Sequence, residues 1–413
     1  MAIVKPFQPF RYSAKAGDPA RLVTQPYDKI NSELQAKYLA ASPHNLVRII
    51  LGERRASDSA AENVYTRAAG YFQAWIREGI LVQDAAPAFF AYFQDFETPD
   101  SGERFTRKGF ICLGKLHEYA EGVVYRHEQT LTGPKQDRLE LLRHTRAHFE
   151  QLFLLYDDPD SVIDTLLDEA AAAAPALDVI DDYGARHRVW PVTDAARIDT
   201  IQALMEPKKL LIADGHHRYE TALAYRAEDP AAEFVVMTLF NMHAPGLKIL
   251  ATHRVLRNVA GFDAGALIDK ATAAGWQVTP CASIAWLKQE FATQRPSIVR
   301  IGVVGNGAIH LLERSRKEGE LDVPVLHQEI LGELMGIDEA AVRDERHIKY
   351  VRGIDAAAAE VTQHRAQVAF LLEPTPIEDM ARIAFAGGVM PQKSTDFYPK
   401  LLSGLTIYKL GHE

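Results

Sequence analysis

The chain has 413 residues, 47% hydrophobic and 24% charged, which suffices for sizeable buried cores in about two or three domains. Its 55 acidic against 46 basic residues leave a formal charge of −9, which argues against a protein that wraps duplex nucleic acid. With only Cys112 and Cys281 there is neither a disulfide framework nor a Cys-rich zinc module, and no secretory apolar segment or long apolar run breaks the picture of a cytoplasmic protein without a membrane partner.

Taken in order, Pro6, Pro9 and Pro26 punctuate an opening of turns and short strands, and Tyr27 and Asp28 fall in a loop. Residues 31–41 suit a helix capped at Asn31 or Ser32, the apolar run 46–51 a strand, and 60–78 a helix with apolar spacing at Val64, Ala68, Phe72 and Trp75. Two paired strands follow at 88–93 and 107–116, a charged helix at 135–149 and a short strand at 153–156. Strands at 176–180 and 187–191 precede a helix at 195–205. Next come a buried strand at 209–213, a helix from 219 to 227, and strands at 234–239 and 247–250. Helices at 264–274 and 284–294 alternate with strands at 276–278, 297–304 and 308–312. The order is that of an α+β protein with a mixed sheet, divided near residue 260 into domains 1–260 and 261–413.

The most telling element is Asp214-Gly215-His216-His217-Arg218, between the buried strand and the helix after it. Glycine permits a tight turn and close approach of a ligand. A helix start offers backbone N–H groups and the positive end of the dipole to an anion. Two histidines and an arginine add donors, and a guanidinium is shaped for bidentate phosphate contact. Asp214 either orients a histidine, meets a phosphate-bound metal, or only caps the helix, with the histidines as surface polarity.

The stretch LIADGHHRYETAL resembles the phosphate-binding motif of the ParB/sulfiredoxin-like superfamily, where a strand–turn–helix with glycine and a basic pair holds nucleotide phosphates. The stretches QPYDKI, RHEQTLTGPKQDR, GLKILATHRV and MPQKSTDFYPKLLSG extend the resemblance to a bacterial and archaeal family, domain of unknown function 1015. That resemblance implies a ParB/sulfiredoxin-like core with insertions, a second α+β unit, and a relationship to free-serine kinases.

Other polar stretches surround this motif in sequence. Glu128 or His127 could take a hydroxyl proton, or the stretch is an ion-pair-rich helix start. His144 and His148, four apart on the expected helix, read as solvated surface. Lys393, Ser394 and Thr395 lack Walker spacing but offer an ammonium and two hydroxyls to an anion, unless they form a plain surface turn. Arg254, after a strand, faces either phosphate or an ion-pair partner, and Asp28 is a base, a metal ligand or a helix cap.

Together these imply an enzyme: a phosphotransferase that uses ATP or ADP with Mg²⁺ on a small hydroxylated metabolite, with free L-serine as the substrate the resemblance suggests. Asp214, Gly215, His216, His217 and Arg218 would hold the nucleotide, with Asp214 near the metal. Asp28, Glu128 or His127 would act in catalysis, and Lys393, Ser394, Thr395, Tyr27 and Arg254 would bind substrate. The alternative is a partition-protein-like nucleotide switch without catalysis, which lacks a visible DNA-reading element. Sulfiredoxin-like repair is set aside because His216 stands where that chemistry needs a cysteine.

Overall fold

The structure is a computed structural model that describes residues 1–99, 101–128, 132–391 and 393–411, with positions 132–134 and 343 described by backbone alone. Residues 129–131 of the RHEQTLTGPKQDR stretch, and Gln392 beside the Lys-Ser-Thr loop, lie outside the described residues. The chain forms two compact units. The first comprises Met1–Thr98, Glu103–Leu247 and the stretch from Pro399 onward; the second comprises Lys248–Tyr398 with Pro99–Gly102. Both are α+β.

A mixed sheet builds the first unit. Across it run Val124–Tyr125, Leu210–Asp214, Leu152–Tyr156, Phe234–Asn241, Arg104–Lys115, Phe89–Glu97, Arg186–Val192 and Leu177–Ile180, and Val4–Lys5 pairs with Arg104–Lys115. Leu210–Asp214 is parallel to Val124–Tyr125, and Phe234–Asn241 to Leu152–Tyr156; the other ladders are antiparallel. Leu152–Tyr156 and Phe234–Asn241 are buried at every residue, which explains their continuous apolar runs.

Pleating sends alternate side chains to opposite faces. Phe89, Ala91, Phe110, Leu154, Ile212 and Met237 meet helices Val162–Ala170, Ala195–Met205 and His216–Glu228 in one apolar core. The intervening residues carry a buried polar network. Arg107, fully buried, lies 4.6 Å from the Phe153 ring and 4.8 Å from the Phe240 ring, and its Nε donates to Gln94 Oε1 at 2.9 Å. Tyr92 and His187 Nδ1 are 2.6 Å apart, and His187 Nε2 lies 3.3 Å from Asp181.

The second unit holds a six-stranded sheet in the order Gln277–Pro280, Ala308–Ser315, Ile298–Gly305, Val368–Leu371, Thr252–Leu256, Ile348–Arg352, every ladder antiparallel. The glycine-rich 302–307 stretch is the end of a hairpin, as its lack of a following helix implies. A π-helical stretch, Leu326–Leu334, and the helices Ile354–Thr362 and Ile377–Phe385 complete it, none of them anticipated from sequence.

Two local expectations fail for identifiable reasons. The run 46–51 is the helix Val47–Ile50, not a strand: Asn45 Oδ1 accepts from the Val47 N–H at 2.9 Å, and a short all-apolar run has no period to separate helix from strand. The charged helix ends at Thr145, so His148 is not on it; Ala147–His148 pairs as a strand with Tyr408–Lys409. The expected cap at Asn31 is present, its Oδ1 accepting from the Leu34 N–H at 2.8 Å.

Candidate functional site

Leu210–Asp214 runs down the sheet, and its pairing with Leu152–Tyr156 slips between Ile212 and Asp214, a bulge that re-aims the strand end. Gly215 then takes φ +97°, and His216–Glu228 begins at once, three residues earlier than its apolar spacing implies. A Cβ at Gly215 would stand 3.0 Å from Leu152 Cδ2 and 3.1 Å from Arg218 Nη2, so the conformation favours glycine and the space around it is tight. The first intrahelical bond runs from the Tyr219 N–H to the Gly215 carbonyl at 2.9 Å, and the N-cap position, being glycine, brings no side chain of its own to the turn. Such a turn presents its N–H groups and the positive dipole end to an anion.

Arg218 folds back over this turn. Its Nη2 donates to Asp214 Oδ2 at 2.8 Å and its Nη1 to the Gln151 carbonyl. Lys400 Nζ donates to the other carboxylate oxygen of Asp214 at 3.2 Å. Burial opposes ionisation of Asp214, yet Lys400, Arg218 and Lys29 outweigh it and hold the carboxyl well below its usual range. Burial likewise opposes the charge of Arg218, and Glu150, Asp214, Asp28 and Tyr27 overcome it, so the guanidinium stays charged. Asp214 therefore sits between two cations, Arg218 and Lys400.

Glu150 joins the cluster to the loop of Tyr27 and Asp28. Its Oε1 accepts from the Tyr27 N–H at 3.0 Å and from Ser403 Oγ at 3.3 Å, and its Oε2 lies 3.7 Å from Arg138 Nη1. The Arg138 guanidinium covers the Tyr27 ring at 4.1 Å. Burial and Glu150 together push the Tyr27 phenol up to about 12, so it is a neutral donor at physiological pH. Tyr27–Lys29 is a single 3₁₀ turn, and Asp28 on it is exposed, 3.3 Å from Lys29 Nζ. A cavity of about 50 Å³, lined by Arg138, His148, Glu150, Arg218 and Thr221 among others, adjoins Arg218.

His127 and His216 meet edge to face with ring centroids 4.6 Å apart. His127 Nδ1 donates to the Ile212 carbonyl at 2.7 Å, and the His127 backbone N–H donates to His216 Nε2 at 3.4 Å. These contacts assign the proton of each ring to Nδ1. Burial drives His127 down to about 4, and burial with the neighbouring His127 drives His216 well below its ordinary value. Both are neutral. Glu128 follows His127 and is half-buried, as is His217.

The sign of the resulting pH dependence is fixed. Each histidine has a folded pKa below its unfolded value of 6.5, so above that value neither state gains a proton. As pH falls from 6.5 towards 4 the unfolded chain protonates first, and stability drops. Replacing His127 by Gln should flatten the pH dependence of the unfolding free energy by as much as about 1.4 kcal/mol per pH unit below pH ~6. Urea titrations at several pH values check this; an unchanged slope in the variant would contradict it.

The structure thus brings Asp214, Gly215, His216, Arg218 and His127 into one cluster and links Tyr27 to it through Glu150. Arg254, Lys393, Ser394 and Thr395 belong to the second unit. There Arg254 is fully buried within the strand Thr252–Leu256 rather than after it. It donates to the Thr252 carbonyl and, at 3.1 Å, to the Lys393 carbonyl. Lys393 is exposed at φ +59°, and the Ser394 hydroxyl donates to the Pro391 carbonyl at 2.6 Å. Arg254 and Ser394 therefore serve to hold their own loop.

Sequence reasoning passed over Glu150, Gln151 and Lys400. Glu150 and Gln151 sit in an ordinary-looking stretch before a strand, and Lys400 is 186 positions from the carboxylate it meets. Both oxygens of Asp214 are engaged by cations, an arrangement that does not suit the metal-ligand role expected of it. Among the described residues, no group of three or more His, Cys, Asp or Glu side chains is placed to hold a metal ion, and no helix is long and apolar enough to cross a membrane.

Fold and site together define an α+β chain in which a sheet strand ends in a glycine turn and a helix start overlain by Arg218. Residues 4–330 match the family described as protein of unknown function (DUF1015), and the chain belongs to that family. No curated protein matches it. Among solved structures, free serine kinase in complex with AMP is 12% identical, covering 70% of this chain and 88% of that one with a TM-score of 0.38. A mutant of free serine kinase in complex with ADP gives the same identity, coverage and score, at 12%, 70%, 88% and 0.38. A conserved hypothetical protein from Pyrococcus furiosus is 14% identical over 70% of this chain and 92% of that one, with a TM-score of 0.36. Likenesses this distant leave the chemistry to the residues themselves.

Proposed function

We propose that this chain is a nucleotide-dependent phosphotransferase with a ParB/sulfiredoxin-like phosphate seat, acting on a small hydroxylated metabolite such as free L-serine. One observation carries the reading: a helix that starts directly on a positive-φ glycine, with Arg218 folded over the turn and Asp214 held between Arg218 and Lys400. Backbone N–H groups of the first turn of His216–Glu228 would bind phosphate oxygens, and Arg218 would neutralise their charge. ATP or ADP is the donor class such a seat accepts. With Asp214 paired to two cations, Mg²⁺ would arrive on the phosphates.

Phosphoryl transfer asks the protein chiefly for positioning, charge neutralisation and a proton acceptor at the attacking hydroxyl. His127, with its Nδ1 proton donated to Ile212, would accept at Nε2, and burial, which lowers it to about 4, leaves it no stronger a base than an ordinary carboxylate. The carboxylates of Asp28 and Glu128 are the other acceptors for that task, and the neutral Tyr27 phenol, next to Asp28, suits a hydrogen-bond donor. Incubation with Mg²⁺, ATP or ADP and a panel of amino acids, followed by ³¹P NMR, tests the reading. A new phosphomonoester signal that requires the acceptor is the expected result; nucleotide binding without transfer to any acceptor would favour a regulatory switch instead.

A further inference from the structure

The stretch from Pro399 onward returns to the first unit and is gripped there along its backbone. Arg107 donates to the Pro399 carbonyl, Gln94 to the Lys400 carbonyl at 3.0 Å, and Gln151 to the Leu402 carbonyl at 3.1 Å. Ser403 exchanges backbone hydrogen bonds with Thr24 at 2.8 and 3.3 Å, and Ile407 does so with Phe10 at 3.0 and 2.8 Å. Two of these contacts reach residues that also hold the seat. Gln151 grips Leu402 with its side chain and Arg218 with its carbonyl, and Glu150 holds both Ser403 and the Tyr27 N–H.

The side chain that this anchored backbone delivers is Lys400, 7% exposed, on Asp214 Oδ1. A lone carboxylate at the mouth of an anion seat repels phosphate, and pairing with Arg218 alone would leave the two at zero net charge. We propose that Lys400 is a positioning residue of the phosphate seat: it fixes Asp214 and offsets its negative charge, so that Arg218 is left to meet a polyphosphate. It acts through Asp214, and the many backbone grips on residues 399–403 keep its ammonium from swinging away. The inference rests on the reading of this turn as a nucleotide seat.

Calorimetric titration with ADP and with adenosine, on wild type, Lys400→Met and Lys400→Arg, tests it. Lys400→Met should weaken ADP about 10- to 100-fold, the scale of one charge-assisted contact, and leave adenosine unchanged. Lys400→Arg should restore ADP affinity to within a few-fold, because it returns the charge. A purely structural lysine would weaken both probes alike or lower thermal stability without this selectivity. If Lys400→Met does not fold, Lys400→Gln carries the same expectation, since it keeps a donor and loses the charge. Undiminished ADP binding by a folded, charge-neutral variant overturns the inference alone; wild type that binds no ADP removes the seat reading and the inference together.

Discussion

Replacing Glu150, which faces Arg138, by alanine is expected to cost the fold about 1–3 kcal/mol, the scale of buried donors left unsatisfied, because Arg138 keeps Asp137 and Arg218 keeps Asp214. Both side chains are 7% exposed, so neither Arg138 nor the nearby Arg218 regains full hydration when the carboxylate goes. The substitution also strands the Tyr27 N–H and the Ser403 hydroxyl, each of which now donates to Glu150. Glu150→Gln separates these contributions, because an amide oxygen still accepts while the charge is gone. Urea denaturation should place the Gln variant between wild type and Glu150→Ala. A loss below about 1 kcal/mol for Glu150→Ala would mean the surrounding cations are solvated after all.

Replacing Arg218 by alanine should weaken phosphate binding by about 1.5–3 kcal/mol, or roughly 10- to 100-fold in affinity for ADP. Arg218 is held in place twice, by Asp214 and by the Gln151 carbonyl, so little side-chain freedom remains to be lost on binding. Lysine at this position returns the charge without the fork and should recover only part of the affinity. Unchanged ADP affinity in a folded Arg218→Ala protein would contradict the assignment of this turn.

How far the sequence speaks for this fold depends on the element. The strand before Gly215 was legible as an uninterrupted apolar run, and the glycine announced the turn; the observed strand Leu210–Asp214 differs from expectation by one residue. The helix begins earlier than its apolar spacing implies, because the positive φ of Gly215 lets His216 start the helix directly. The helix Val47–Ile50 was illegible: its four residues carry no period, and a capping contact from Asn45 decides the conformation. Chemistry-bearing types clustered in one motif, Asp214 to Arg218, could be found by inspection. Glu150 and Lys400 could not, since their roles arise from tertiary pairing across 123 positions to Tyr27 and 186 positions to Asp214 respectively. The burial of His127 and its bond to the Ile212 carbonyl, which keep the ring neutral with Nε2 as its accepting nitrogen, are tertiary features that its polar neighbours in sequence do not announce. The strands Ile348–Arg352 and Val368–Leu371 were passed over because each is short and is completed only by its neighbours in the sheet.

The central claim is that the turn at Gly215 seats phosphate. Titrating the wild-type protein with adenosine, AMP and ADP in parallel tests it most directly. Affinity should rise with each phosphate, by about tenfold per added charged contact, and should fall as salt is raised. Equal affinity for adenosine and ADP, or no measurable ADP binding by the folded protein, would contradict it.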